Sequence, residues 1–121
     1  MNTSIEYREQ MKSRLKTFAL RIIKLYQHLP QSDEARIIGK QLLRSGTSVA
    51  TNYRAACRAR SDREFFSKLS IVTEEADETL FWLEILVEAE IMPENKLSSL
   101  MNESTEILKI IAVSRKNAQP K

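Results

Sequence analysis

The sequence predicts an all-α protein, an antiparallel up-down four-helix bundle in which residues 1–121 form one domain. Its 121 residues include only 2 Gly and 3 Pro, too few for the many tight turns of a β-sandwich or barrel. Hydrophobic residues make up 42% of the chain and recur at helical spacing in four runs. The connections between these runs are short, which makes successive helices antiparallel neighbours. We expect the core to span about residues 11–114, between a ragged N-terminus and a C-terminal tail.

The first half of the chain predicts two helices. Helix 1 is expected over about Thr3–His28, where apolar residues recur every three or four positions. Pro30 then ends the helical pattern. Ser32 is an N-cap, and helix 2 is expected to continue to about Arg60. Both glycines, at positions 39 and 46, fall on one face of helix 2, where they would let another helix approach closely.

The second half predicts two more helices after a sharp reversal at residues 60–61. Ser61 and Glu64 form a capping box that begins helix 3, and Pro93 or Glu94 begins helix 4. Residues 117–121 are expected to be a frayed tail. Helix 3 is apolar on more sides than one small bundle core can use. We therefore expect its surplus aromatic residues to lie at an oligomer interface: Phe66, Phe81 and Trp82.

Opposite charges are concentrated in two separate segments. Residues 36–63 contain seven basic residues and one acid, whereas residues 74–94 contain eight acids and no basic residue. In an antiparallel hairpin centred on residues 60–61, Arg44 of helix 2 faces Glu78 of helix 3. Glu74 and Glu75 lie one turn away. We therefore expect Arg44 to form structural ion pairs with this acidic group.

Four arginines near the helix 2–helix 3 corner have fewer facing acids: Arg54, Arg58, Arg60 and Arg63. Such a cluster can be solvated surface, an oligomer contact or a polyanion site. Solvated surface is the usual outcome for a run of charge. Arginine, however, favours bidentate contacts with phosphate, which favours a nucleic-acid contact at this corner.

The composition argues against an enzyme, a metal site and a cofactor site. The chain has one His and one Cys, so it lacks the paired ligands and the His-based groups that most such sites need. No Glu-x-x-His motif is present for a dinuclear carboxylate centre. We interpret Cys57 as a structural thiol. The sequence shows no targeting or membrane-spanning segment, and we expect a cytoplasmic protein.

Several spaced motifs resemble one protein family. Residues 42–53, Leu-Leu-Arg-Ser-Gly-Thr-Ser-Val-Ala-Thr-Asn-Tyr, resemble the second helix of the four-helix bundle proteins encoded in intervening sequences of bacterial 23S rRNA genes. Similarity to the third helix of that family extends from residue 60 to residue 83, and the resemblance covers roughly residues 18–114. In one departure, Asn52 is followed by Tyr-Arg-Ala-Ala, whereas many members have Ile-Ala-Glu-Gly.

The resemblance implies a ring-shaped homopentamer with no known catalytic activity. A related branch, the accessory proteins of diversity-generating retroelements, is also pentameric and basic, and it works with a reverse transcriptase and nucleic acid. Our first hypothesis is therefore a non-enzymatic homo-oligomer that binds RNA or other nucleic acid through the four corner arginines. The alternative is a structural or protein-interaction module whose partner is a protein and which has no role with nucleic acid.

Overall fold

The computed structural model describes residues 4–120 and confirms an all-α chain of four helices, with no strand in that range. The helices are α1 (Ile5–Gln27), α2 (Asp33–Ala56), α3 (Asp62–Glu88) and α4 (Glu94–Asn117). The predicted start at residue 3 and the last residue of the predicted tail lie outside the described range.

Each helix packs against its neighbours in chain order, and α4 closes the arrangement by contacting α1. Helices α1 and α3 therefore lie at opposite corners of the bundle. The tightest association is between α2 and α3, and the loosest is between α1 and α4. Fully buried side chains from all four helices form one continuous core, including Leu15, Leu42, Leu83 and Ile107. This burial is the main stabilising contribution to the fold.

Three serines cap the first three helices, as the sequence predicts for two of them. Ser32 Oγ accepts a hydrogen bond from the backbone N–H of Ala35, and Ser61 Oγ accepts one from Glu64 N–H. Ser4 Oγ does the same for Tyr7 N–H at the start of α1. Each bond satisfies one of the amide groups that a helix N-terminus leaves without a partner.

The end of α2 differs from the prediction. The helix ends at Ala56, four residues before the expected end at Arg60, and the reversal occupies residues 57–61. The N–H groups of Arg58 and Ala59 donate to carbonyls only three residues back, each at 3.0 Å, which tightens the chain out of the α-helix. Ser61 must also adopt an extended backbone to cap α3. Arg58 and Arg60 consequently lie in the connection and not on the helix.

The α3–α4 corner turns through a residue with left-handed backbone geometry. Glu90 has a φ of 59°, which normally favours glycine. The N–H of Ile91 donates to the carbonyl of Leu86 and that of Glu90 to Val87, both at 3.0 Å. These two bonds form a Schellman motif. The reversal therefore begins at Glu90, three residues before Pro93.

The two glycines allow α1 and α2 to approach closely, which confirms the prediction from their shared face. A Cβ atom at position 46 would lie only 2.9 Å from Cγ1 of Ile22, a fully buried residue of α1. At position 39 the nearest atom would be the terminal Cδ1 of Leu29, at 2.7 Å. The contact at Gly46 is the less adjustable one, because Ile22 lies in the centre of the core.

Candidate nucleic-acid interface

Arg44 joins α2 to α3 through two carboxylates. Its Nη1 lies 2.9 Å from Glu75 Oε2, and its Nη2 lies 2.5 Å from Glu78 Oε2. Trp82 Nε1 donates a second hydrogen bond to Glu78 at 3.0 Å. These donors, Trp82 first and Arg44 second, lower the pKa of Glu78 below its ordinary value. Glu74, in contrast, is exposed on α3 and has no ion pair within residues 4–120.

The Arg44 network is a surface feature and not a buried one. The side chain of Arg44 retains 49% of its exposure, so water screens both of its ion pairs. Exposed pairs contribute about 1 kcal/mol or less. The network therefore links α2 to α3 without dominating stability, and it occupies Arg44 so that this residue is not available as a free ligand group.

The four corner arginines all lie at one end of the bundle. Arg54 is in the last turn of α2, Arg63 is in the first turn of α3, and Arg58 and Arg60 lie in the connection between them. All four are exposed. Arg60 Nε approaches Glu64 Oε2 only to 3.7 Å, and the Arg60 side chain is 90% exposed. That pair is too long and too solvated to neutralise the cluster.

The fold adds basic residues to this end that sequence reasoning did not include. The N-terminus of α1 contributes Arg8, and the C-terminus of α4 contributes Arg115 and Lys116. Together with the four corner arginines they form what we call the basic end. The acids near it are fewer, namely Glu6, Glu9, Asp62 and Glu64. The excess of cations creates a positive potential there.

Two of the added arginines are held over aromatic rings. The guanidinium of Arg8 lies 4.8 Å from the centre of the Phe65 ring, and that of Arg115 lies 4.7 Å from the centre of the Phe66 ring. Arg115 Nε also donates to Ser70 Oγ at 2.8 Å. Such stacking orients each guanidinium at the end of the bundle. The adjacent pair of phenylalanines, just after an arginine-rich corner, is the sequence signal that could have revealed this arrangement.

The three aromatic residues assigned to an oligomer interface have different surroundings. Phe66 is partly buried beneath Arg115, and Trp82 is partly buried against the core. Phe81 is 48% exposed, and its ring packs edge-on against Trp82 with the ring centres 4.9 Å apart. Phe66 and Phe81 are separated by about 22 Å along α3. Of the three, Phe81 presents the largest exposed apolar surface for a partner.

Sequence reasoning missed an ion-pair group between α1 and α4. Arg14 donates to both carboxylate oxygens of Glu103, at 2.7 and 2.8 Å, and lies 3.3 Å from Glu106. The hydrogen bonds from Arg14 lower the pKa of Glu103 below its ordinary value of 4.5. Glu103 and Glu106, three residues apart on α4, could have indicated a partner for an arginine. That signal becomes usable only when α1 is known to lie beside α4.

The Arg14 group predicts acid sensitivity. Because the pKa of Glu103 is lowered in the folded state, its ion pair with Arg14 contributes to folding stability above pH 4.5. This contribution is lost as the pH falls below that value. We expect Arg14→Met to be less stable than the wild type at pH 6 and to lose less further stability between pH 6 and pH 3. Urea unfolding at both pH values measures this. The control is Arg36→Met, since Arg36 pairs with the exposed Asp33. If the wild type and Arg14→Met lose the same stability between pH 6 and pH 3, the Arg14–Glu103 pair is not a source of the acid sensitivity.

Among the described residues, the thiol of Cys57 is free and partly buried. Burial is the main cause that raises the pKa of the Cys57 thiol, which favours the unreactive neutral form. Within residues 4–120, no group of three His, Cys, Asp or Glu side chains is arranged to hold a metal ion. The helices of that range also contain no segment long and apolar enough to cross a bilayer.

Fold and surface together define a class, the small all-α proteins built on one up-down four-helix bundle. A family model described as "23S rRNA-intervening sequence protein" matches residues 9–113, and the chain belongs to this family. The chain is also similar to a solved structure from Bacteroides thetaiotaomicron VPI-5482, described as a protein with unknown function from the S23 ribosomal protein family.

The similarity to that structure extends over nearly the whole chain. The two chains are 38% identical, with a TM-score of 0.83, and the match covers 90% of this chain and 97% of the other. A search of curated proteins gives no significant match. Neither the family nor the solved structure indicates an enzyme family.

Proposed function

We propose that this protein is a non-enzymatic, cytoplasmic homo-oligomer that binds RNA or another nucleic acid through its basic end. The observation that carries the proposal is the convergence of arginines from three separate parts of the chain on one end of the bundle. Arginine donates up to five hydrogen bonds in a planar fork that matches phosphate geometry. The exposed guanidinium groups of the four corner arginines therefore suit a phosphate backbone.

The pattern favours contacts with phosphate over reading of bases. Two of the described aromatic residues at this end, Phe65 and Phe66, lie beneath Arg8 and Arg115, which leaves Tyr7, 40% exposed, as a ring on which a base could stack. Stacking on a single ring tolerates any base. Little sequence preference follows, because sequence is read through contacts with base edges. The description of the family refers to intervening sequences of 23S rRNA, which makes RNA the first ligand to test.

Assembly would multiply the basic end. A ring places several copies of the same surface on one side, so weak individual contacts act together on one nucleic-acid strand. The half-exposed Phe81 and other exposed apolar side chains such as Leu20 and Ile37 supply surface for contacts between copies. Five copies per ring is the number that the family resemblance implies.

Salt-dependent binding tests the nucleic-acid role. Fluorescence anisotropy with a labelled single-stranded RNA, and with DNA of the same sequence, should show binding at low salt that weakens steeply as salt is added. Each phosphate neutralised on a single strand contributes a slope of roughly 0.7 in log affinity against log salt. If neither RNA nor DNA binds at low salt, the nucleic-acid role is wrong and the protein-interaction module is the better account.

The oligomeric state gives a separate prediction. Multi-angle light scattering at micromolar concentration should give about five times the chain mass of 14.0 kDa. The reason is that Phe81 and the other exposed apolar side chains would otherwise face water in every copy. A monomer mass at all accessible concentrations would contradict the homo-oligomer without affecting the binding test.

A further inference from the structure

A groove with an apolar floor and a basic rim lies between α1 and α4. These two helices contact each other least among the neighbouring pairs, and they enclose a groove of about 500 Å³ near the end opposite the basic end. Its floor includes Leu25, Met92 and Leu100. Lys24 and Lys96 stand on its two sides, so the groove suits a ligand that is both apolar and acidic.

The rim cations are available to a partner. Within residues 4–120, neither Lys24 nor Lys96 has an ion pair. Arg21, which also lines the groove, donates from Nη2 to the neutral Ser99 hydroxyl at 3.0 Å. The rim therefore carries positive charge that no described residue neutralises by direct ion pairing.

The outer face of α3 has the opposite character. Four acids surround the exposed Phe81 at spacings of three and four residues, which places them along one side of the helix. We call this surface the acidic ridge: Glu74, Asp77, Phe81, Glu84 and Glu88. All five are exposed, and none of the four acids has an ion pair among the described residues. Contact with Trp82 holds the Phe81 ring in place.

We infer that the acidic ridge of one copy docks into the α1–α4 groove of a second copy. The inference rests on the homo-oligomer of the proposed function and names its interface. The ridge offers an aromatic side chain flanked by carboxylates, and the groove offers leucine and methionine flanked by lysines. Phe81, Glu84 and Glu88 also lie in the half of the bundle that contains the groove. Two copies with parallel axes can therefore bring the surfaces together at the same height.

The position of the two surfaces determines the kind of assembly. Helix α3 lies at the corner opposite α1, so the ridge and the groove occupy different faces of the bundle. A contact between them is heterologous, and each copy uses its ridge toward one neighbour and its groove toward the other. Such contacts close into a ring or continue as a chain, and they do not form an isolated twofold dimer.

Charge exchange between the two surfaces tests the inference. Lys24→Glu/Lys96→Glu reverses the groove, and Asp77→Lys/Glu84→Lys reverses the ridge. We expect each double variant to give a monomer mass by light scattering, with the helical circular dichroism of the wild type. The chain that carries all four substitutions should recover the wild-type mass, because its reversed surfaces again attract. The control Lys40→Glu/Lys109→Glu changes two exposed lysines elsewhere and should assemble normally.

The outcomes separate the interface from the oligomer. If the wild type assembles and both double variants assemble equally well, or if the four substitutions fail to restore assembly, the ridge-and-groove contact is wrong while the homo-oligomer stands. If the wild type is a monomer, both are wrong. A substitution that leaves the charge unchanged provides an independent test of the contact. Phe81→Ala should weaken assembly at least about tenfold. Its control, Val113→Ala, changes another exposed apolar residue and should leave assembly unchanged. Equal effects of the two substitutions on assembly would show that the ridge-and-groove contact is wrong.

Discussion

Charge reversal at the α2–α3 corner, as Arg58→Glu/Arg60→Glu, should nearly abolish RNA binding while leaving the fold and the oligomer intact. Both side chains are exposed and lie outside the helices, so their replacement disturbs no packing. A charged hydrogen bond contributes about 1.5 kcal/mol or more, and two lost contacts reduce affinity roughly 100-fold. Repulsion between the new carboxylates and phosphate increases the loss. Anisotropy titration at about 0.1 M salt, where the Debye length is about 10 Å, measures it.

A matched control separates the basic end from net charge alone. Arg36→Glu/Lys40→Glu makes the same change in net charge on exposed residues of α2, near the opposite end of the bundle. It should reduce RNA affinity by less than about threefold, since long-range effects are screened beyond about 10 Å at ordinary salt. Equal losses in the two variants would mean that RNA responds to the total charge of the protein, and the assignment of the basic end would be wrong.

Removing the Ile22 side chain should produce a large loss of stability, and a change at Gly46 should partly reverse it. Ile22→Ala leaves a cavity in the core and costs about 2–5 kcal/mol. In the wild type, Gly46→Ala introduces a Cβ only 2.9 Å from Ile22, and such overpacking costs about 1–3 kcal/mol. Set against a gain of about 1 kcal/mol from replacing a helical glycine, the net loss of stability is about 0–2 kcal/mol. In the Ile22→Ala background the same Cβ fills the cavity.

The sign of the Gly46→Ala effect is therefore expected to change with its neighbour. Urea unfolding of the two single variants and the double variant closes the thermodynamic cycle. Gly39→Ala is the control, because its Cβ would meet Leu29 and the Tyr26 ring and not Ile22, so its effect on stability should be the same in either background. A Gly46→Ala variant that is destabilising by the same amount with and without Ile22 would contradict close packing at this point.

The sequence predicted the four helices because their signals are local. Apolar spacing, the Ser32 and Ser61 caps and Pro30 each act within a few residues, and the structure confirms both of these caps and the helix order. The facing of Arg44 and Glu78 followed from the same local information, since a short connection fixes the register of a hairpin. The predicted end of α2 was too late because Arg58 and Arg60 continue the helical pattern. The helix ends earlier since Ser61 adopts an extended backbone to cap α3.

The features that could not be predicted depend on contacts between distant parts of the chain. Arg14 and Glu103 are 89 residues apart, and nothing local indicates that α1 and α4 meet there. The same holds for the basic end, where Arg115 reaches Phe66 only because α4 returns alongside α3. The α1–α4 groove is also invisible in the sequence, because it depends on how far two helices diverge.

Ultraviolet cross-linking of bound RNA, followed by mass spectrometry of the attached peptides, tests the central claim most directly. The basic end predicts that cross-links concentrate on residues 53–66 and on the C-terminal turn of α4, around residues 114–118. A second cationic surface is the groove rim, formed by residues 21–28 and 92–100. Cross-links confined to the rim peptides, with none on residues 53–66, would show that RNA binds elsewhere and would contradict this account.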